Sequence, residues 1–227
     1  MITLAVWPSQ ISEEVKNDII KFAQEWIWSI SHRSNEFTKI SEKVHKNLRE
    51  FLSIPDDYKI FYTASSTEAM EMITRSFVES KSYHFVNGVF SNKFYQTAIA
   101  LNKNSQKQEL EWWKWDFDIS KIEEDAELIW ITHNETTTWI MVEDSFIEKI
   151  RNKHKDKFLA VDITSSVWCV PYNIKTADIW FFSVQKGLGL PAWLWVSIVN
   201  EKALKKHESL KEKGLDTWFV HSIDNLL

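Results

Sequence analysis

Glycine is almost missing from this chain. Four glycines occur among 227 residues, beside thirteen tryptophans, whereas glycine alone makes up about 7% of an ordinary chain. Cysteine is scarcer still, with Cys169 the only one. That excludes an intrachain disulfide and a cysteine-based zinc site, and suits a reducing cytoplasm. No pair of histidines has metal-ligand spacing. No apolar run approaches the roughly 20 residues that a membrane span requires. The opening Met1-Ile2-Thr3-Leu4-Ala5-Val6 carries no basic leader, so no signal peptide is expected. An excess of positive charge is lacking too: 27 basic and 32 acidic residues leave a net charge of −5. The Lys-rich stretch 202–213 alternates with Glu, which marks a solvated helix face rather than a nucleic-acid surface.

The tryptophans stand in odd places. Trp7 precedes Pro8-Ser9, Trp26 and Trp28 flank Ile27, and Trp193 and Trp195 flank Leu194. Tight turns need glycine because only glycine takes positive φ without a steric cost. The expectation is that about ten tryptophans occupy glycine positions, through a codon translated as tryptophan here but read as glycine in the cell. The competing explanation is an aromatic-rich binding surface, which would leave the tryptophans exposed and aligned.

Periodicity outlines the fold. Ile11, Val15, Ile19 and Phe22 recur at helical spacing after Ser12, predicting a helix near 11–25. Phe37, Ile40, Val44, Leu48 and Phe51 mark a second near 35–52, which Ile54-Pro55-Asp56-Asp57 ends. Lys59–Thr63 reads as a strand, and Ser65 with Glu68 has capping-box spacing for a helix to about Glu79. Ser82–Val86 is a strand, Asn87-Gly88 a turn and Ser91–Leu101 a helix. Downstream, strands are predicted at Leu128–Thr132, Phe158–Asp162, Ile179–Val184 and Leu194–Val199, with helices at Asp144–His154 and Glu201–Lys213. Nearly all-apolar strands alternating with helices predict a three-layer α/β/α domain with a mainly parallel sheet. No linker or repeat suggests a boundary inside the chain.

In such a sheet, ligands bind outside the carboxyl ends of the strands. Four polar clusters fall there: Ser65-Ser66-Thr67, Thr132–Thr138, Asp162–Ser166 and Ser183–Gly187. An aspartate at 162 can pair with a protonated ring nitrogen, coordinate Mg²⁺ or cap a turn. Lys186, between an apolar strand and Gly187-Leu188-Gly189, is either a solvated lysine or a partly desolvated amine usable as a nucleophile toward an aldehyde. Ser65-Ser66-Thr67 opens a helix, so it is a plain cap or a phosphate cradle. His32-Arg33 suits a phosphate or carboxylate, or simply precedes a helix. Phe90 belongs to the core or stacks on a planar ring.

Taken together, these segments resemble the class V aminotransferases of fold type I, most closely the phosphoserine branch. The matching text is Pro8-Ser9, Ile30-Ser31-His32-Arg33-Ser34 with Glu36-Phe37, and Ile54-Pro55-Asp56-Asp57-Tyr58-Lys59. It continues with Asn134-Glu135-Thr136, Val161-Asp162-Ile163-Thr164-Ser165-Ser166, Gln185-Lys186-Gly187 and Pro191-Ala192. The resemblance implies a pyridoxal 5'-phosphate enzyme that moves an amino group between an amino acid and a 2-oxo acid. Lys186 would carry the cofactor as an imine, and Asp162 would hold its ring nitrogen protonated. Phe90 would lie against the ring, Thr136 beside its phenolic oxygen, and Ser66, Thr67 and Gln185 at its phosphate. His32 and Arg33 would grip the substrate phosphate, partly across a homodimer interface. O-phosphoserine with 2-oxoglutarate is the implied pair, and alanine, serine or glyoxylate transamination the neighbouring one. A cysteine desulfurase is disfavoured because Cys169 precedes the lysine, whereas that family's cysteine follows it. From another class, a Trp-rich carbohydrate-binding or interaction module gives no reason for Lys186 to end a strand beside Asp162.

Three departures matter. Tryptophan stands where the family has glycine at Trp7, Trp139, Trp193 and Trp195, while Trp130 and Trp180, and with them Trp112, read as genuine. Ser65-Ser66-Thr67 replaces a glycine-rich, arginine-containing loop. The family also continues into a smaller C-terminal domain that supplies an arginine for the substrate carboxylate. Residues 1–227 are therefore expected to be the cofactor-holding large domain with its N-terminal segment, truncated and inactive alone.

Overall fold

The computed structural model describes residues 9–25 and 27–215. Trp7, Trp26, Trp218 and Pro8 lie outside them. Seven strands form one sheet: β1 (Tyr58–Thr63), β2 (Ser82–Val86), β3 (Gln106–Glu109), β4 (Leu128–Thr132), β7 (Phe158–Asp162), β8 (Ile179–Ser183) and β9 (Trp195–Asn200). Their order across the sheet is β1-β9-β8-β7-β4-β2-β3. β9 runs antiparallel to both neighbours, and every other pairing is parallel. A hairpin of β5 (Asn134–Glu135) and β6 (Ile140–Met141) stands apart.

The central strands are apolar on both faces because both faces are covered. One side packs Met70, Ile73 and Phe77 of α3 (Ser66–Phe77), Phe94 of α4 (Val89–Ala100) and Ala203 of α6 (Glu201–Glu212) against Leu128, Trp130 and Phe181. The other side packs Leu48 and Leu52 of α2 (Asn35–Leu52) and Ile147 and Ile150 of α5 (Asp144–Lys153) against Ile129, Val161 and Phe182. This is the α/β/α sandwich that the alternation implies. The first helix, α1 (Glu13–Gln24), buries no residue fully. On α2 only the C-terminal end of the apolar stripe is buried; Phe37, Ile40, Val44 and Phe51 are exposed. Among the described residues no helix is long and apolar enough to cross a membrane.

Beyond the unpredicted β5–β6 hairpin, β3 and the start of α4 differ from the sequence reading. β3 is Gln-Lys-Gln-Glu, with no apolar side chain, and pairs only with β2 at the sheet margin. An edge strand needs backbone partners more than apolar faces, so periodicity passes it over. α4 starts two residues before the predicted Ser91, directly after Gly88.

The tryptophans divide by backbone. Trp130, Trp180 and Trp195 lie in strands with their rings buried, and the Trp180 indole donates to the Ile174 carbonyl at 2.8 Å. Trp139, Trp168 and Trp193 instead have φ of 62°, 76° and 121°. They are three of the five non-glycine described residues with positive φ, the region that only glycine enters freely. Trp139 and Trp193 are 87% and 85% exposed, so burial of the ring does not offset the strain. The glycine expectation thus meets its backbone signature at 139, 168 and 193, and has none at the extended Trp195.

Candidate active site

Because β1, β2, β4, β7 and β8 run the same way, their carboxyl ends open on one edge of the sheet. A cavity of about 320 Å³ lies there, lined by Ser66, Phe90, Asp162, Gln185 and Lys186 among others. A neighbouring hollow, with Thr136, Ser165, Trp139 and Ser9 on its walls, shares Lys186. A further hollow beneath α2 is walled mainly by apolar side chains such as Leu48, Val184 and Leu190.

Lys186 sits just past β8. Gly189, with φ 61°, closes a tight turn in which its amide donates to the Lys186 carbonyl at 2.9 Å. Residue 187 must be glycine, since a Cβ there would lie 2.3 Å from the Val167 carbonyl oxygen. Ser9 clasps the turn from outside: its hydroxyl lies 2.9 Å from the Gln185 carbonyl and 2.6 Å from that of Lys186. Held this way, the Lys186 ammonium donates to Ser165 Oγ at 2.7 Å and to Thr136 Oγ1 at 3.0 Å. It lies 5.1 Å from the centroid of the Phe90 ring. Burial pulls its pKa below the ordinary lysine value, and the Asp162 and Glu135 carboxylates partly oppose that.

Asp162 ends β7, the strand next to β8. It is buried, and its Oδ1 accepts from the Thr164 amide at 2.8 Å. Burial pushes its pKa up to about 6, against the pull of Thr164 and of the Lys186 charge, while Glu135 adds to the rise. An amine inclined to lose its proton and a carboxyl inclined to keep one therefore share a cavity and feel each other's field. Perturbed pairs of this kind are what proton transfer requires.

At the other wall, α3 begins. Ser65 Oγ accepts from the Glu68 amide at 3.1 Å, the N-cap bond that the spacing predicts, while Glu68 reaches back to the Ala64 amide at 2.7 Å, one residue before the cap. The helix N-terminus therefore faces the cavity through Ala64, Ser65 and Ser66, and amides of a first helical turn favour an anion. Thr67, one residue on, is exposed and outside the lining. Gln185 lines the cavity, and its Oε1 is buried without a protein partner. A buried oxygen left that way is costly unless a ligand donor reaches it. A planar, anionic, hydrogen-bonding group such as pyridoxal 5'-phosphate fits this donor set: an aromatic wall, a helix N-terminus, a carboxyl and an amine. His32 and Arg33 are not brought to the cavity; both lie exposed on the turn ahead of α2.

Four neighbours received no individual role from sequence. Ser165 bonds the Lys186 amine and also Thr136 Oγ1, and Thr164 supports Asp162. His133, buried beside the Asp162 strand end, is hydrogen bonded to Ser166 Oγ at 2.8 Å and to Asp144 at 3.3 Å. Glu135 is fully buried in the β5 turn. Their one sequence signal is position, a polar residue within a few places of an apolar strand's end.

Comparison with known proteins gives consistent matches. A profile described as aminotransferase class-V matches residues 5–222. The phosphoserine aminotransferase of Lactococcus lactis subsp. cremoris is 27% identical over 220 residues, covering 91% of this chain and 59% of that protein. That of Leuconostoc mesenteroides is 28% identical over 215 residues, covering 88% and 57%. The crystal structure of a phosphoserine aminotransferase from Cytophaga hutchinsonii superposes with a TM-score of 0.92 at 36% identity, covering 96% of this chain and 61% of that one. A ureidoglycine–glyoxylate aminotransferase from Bacillus subtilis shares the fold, with a TM-score of 0.81 at 18% identity and coverage of 96% and 56%. The chain thus spans under two thirds of the length of these relatives.

Proposed function

The chain belongs to the class-V aminotransferase family, and from that premise we propose that it is the cofactor-holding large domain of a cytoplasmic pyridoxal 5'-phosphate-dependent aminotransferase that takes O-phosphoserine as amino donor and 2-oxoglutarate as acceptor. The observation that carries the reading is the Lys186 amine and the Asp162 carboxyl at the ends of adjacent strands, each shifting the other's pKa. When bound, pyridoxal 5'-phosphate supplies the electron sink that makes an amino acid's Cα proton acidic.

The chain's own residues do the rest. Lys186 would hold the cofactor through Nζ and would take and return a proton at that atom, a role helped by burial that disfavours its ammonium form. Asp162 anchors the ring nitrogen, and Phe90 provides a flat wall. Thr136 and Ser165 orient the amine by their hydroxyls. Ser66 Oγ and the Gln185 side-chain nitrogen donate to the cofactor phosphate, whereas Thr67, exposed outside the cavity lining, takes no part. In a homodimer, the exposed turn with His32 and Arg33 is suited to reach a second subunit's site, where a guanidinium fork matches a substrate phosphate.

A second reading is favoured by the Ser65-Ser66-Thr67 helix start, which departs from the glycine-rich loop: transamination of alanine, serine or glyoxylate. Bleaching of the bound cofactor's absorbance in a single turnover of the complete protein, with both donors bleaching measurably, separates the two. Charge-assisted bonds to a phosphate predict bleaching by O-phosphoserine at least about tenfold faster than by alanine. Equal or reversed rates assign the chain to the second reading.

A further inference from the structure

Phe90 sits in the first turn of a helix whose N-cap residue has no side chain, although Ser91 Oγ accepts from the Gly88 amide at 3.1 Å. α4 follows Gly88, which has no side chain to accept the amide of the third helical residue, Ser91. That amide instead donates to Glu135 Oε2 at 2.8 Å, from a different element, and the Ser91 hydroxyl lies 2.9 Å from the same oxygen. The other carboxylate oxygen, Oε1, accepts from Thr137 Oγ1 at 2.8 Å and from the Thr137 amide at 3.2 Å. Thr137 Oγ1 in turn accepts from the Val89 amide at 3.0 Å. The residues on either side of Phe90 are therefore both clasped to the 135–137 turn, and Phe90 sits between them.

The clasp requires the glycine. A Cβ on residue 88 would lie 2.4 Å from Glu135 Cγ and 2.5 Å from Thr137 Oγ1. Position 88 thus gives up a capping side chain of its own and leaves room for the carboxylate. Glu135 is 0% exposed, and a carboxylate buried this deeply is tolerated because several donors serve it and a helix N-terminus faces it. An ordinary cap would need neither the burial nor the long reach.

We infer that Glu135 is the positioning residue for the Phe90 ring, setting where that wall stands against the cofactor and the Lys186 amine. This rests on the proposed cofactor-holding role of the cavity, and the test separates the two. Pyridoxal 5'-phosphate is titrated by absorbance into the unchanged chain, Glu135→Ala, Glu135→Gln, Phe90→Ala and the Phe90→Ala/Glu135→Ala pair, with amide exchange followed at residues 89–91. Glu135→Ala is expected to weaken cofactor binding about tenfold, as Phe90→Ala does, and the pair no more than either alone, because both changes remove the same placed ring. Glu135→Gln, which keeps an acceptor for the Ser91 amide, is expected to bind within about threefold of the unchanged chain.

Cofactor binding unaltered by Glu135→Ala overturns the inference, and so do losses that multiply in the pair. If the unchanged chain itself binds no cofactor, the functional reading fails and the inference falls with it; exchange at 89–91 that quickens in Glu135→Ala then leaves only a helix cap. Should Glu135→Ala not fold, the same cycle is run with Glu135→Asp, whose shorter side chain draws the carboxylate away from the Ser91 amide: a loss shared with Phe90→Ala upholds the inference, and unaltered binding or losses that multiply overturn it.

Discussion

Replacing Trp139 and Trp193 with glycine should stabilise the protein, which is the opposite of what deleting a large aromatic side chain normally does. Each residue sits at positive φ, 62° and 121°, where a non-glycine residue pays about 1–3 kcal/mol. Each ring is more than four-fifths exposed, so little apolar burial is lost. Against the relief stands the greater freedom of glycine in the unfolded chain, roughly 0.5–1 kcal/mol per site. At the middle of these ranges the net gain is about 2–3 kcal/mol for the pair. For a chain of this size that raises the melting temperature by about 2–4 °C per kcal/mol. Trp130→Gly and Trp180→Gly provide the contrast: both rings are almost wholly buried, and their loss should cost at least about 3–5 kcal/mol. Trp168 falls between, since its strained backbone (φ 76°) is set against a ring stacked 3.4 Å from Phe51. Thermal melting followed by circular dichroism reads all five. Trp139→Gly and Trp193→Gly destabilising like the buried pair would refute the reasoning. Peptide masses of the protein from its natural source would then be expected to carry tryptophan rather than glycine at 139 and 193.

Two further expectations concern pH. Without cofactor, Asp162 has a folded pKa of about 6 against an ordinary 3.8; the stability it contributes is full below pH 4 and is lost as pH rises through 6, roughly 3 kcal/mol in all. Denaturant midpoints of Asp162→Asn should lack that decline, and a parallel decline in both proteins would contradict the assignment. Glu127 behaves oppositely: burial would raise its pKa, but Lys206 and the amides of residues 79–81 hold it down to about 2. Its contribution is present above about pH 4.5 and fades toward pH 2, about 2 kcal/mol after allowance for partial exposure, so Glu127→Gln should flatten the acid limb unless those contacts are weak.

Much of the fold was legible because burial writes itself into composition. β4, β7 and β8 are apolar on both faces, and their predicted limits fall within a residue of those observed. Ser12 and Ser65 cap the helices that follow them, as read from the sequence. What composition does not record was lost: β3 is a polar edge, and the β5–β6 hairpin is two residues a side. In the site, Lys186, Asp162, Phe90, Ser66 and Gln185 come together because strand ends converge. Glu135 escaped notice because its partners, Ser91 and Thr137, are named by three-dimensional closure rather than by spacing. His32 and Arg33 drew attention by their chemistry and by the family resemblance, and on this chain they remain on an exposed turn.

Everything functional here turns on one amine. Pyridoxal 5'-phosphate is added to the purified chain, the imine is reduced with borohydride, and the modified residue is located by peptide mass. The added mass belongs on the peptide containing Lys186, and Lys186→Ala should abolish it. Labelling spread over the other lysines, or undiminished in Lys186→Ala, would contradict the assignment outright.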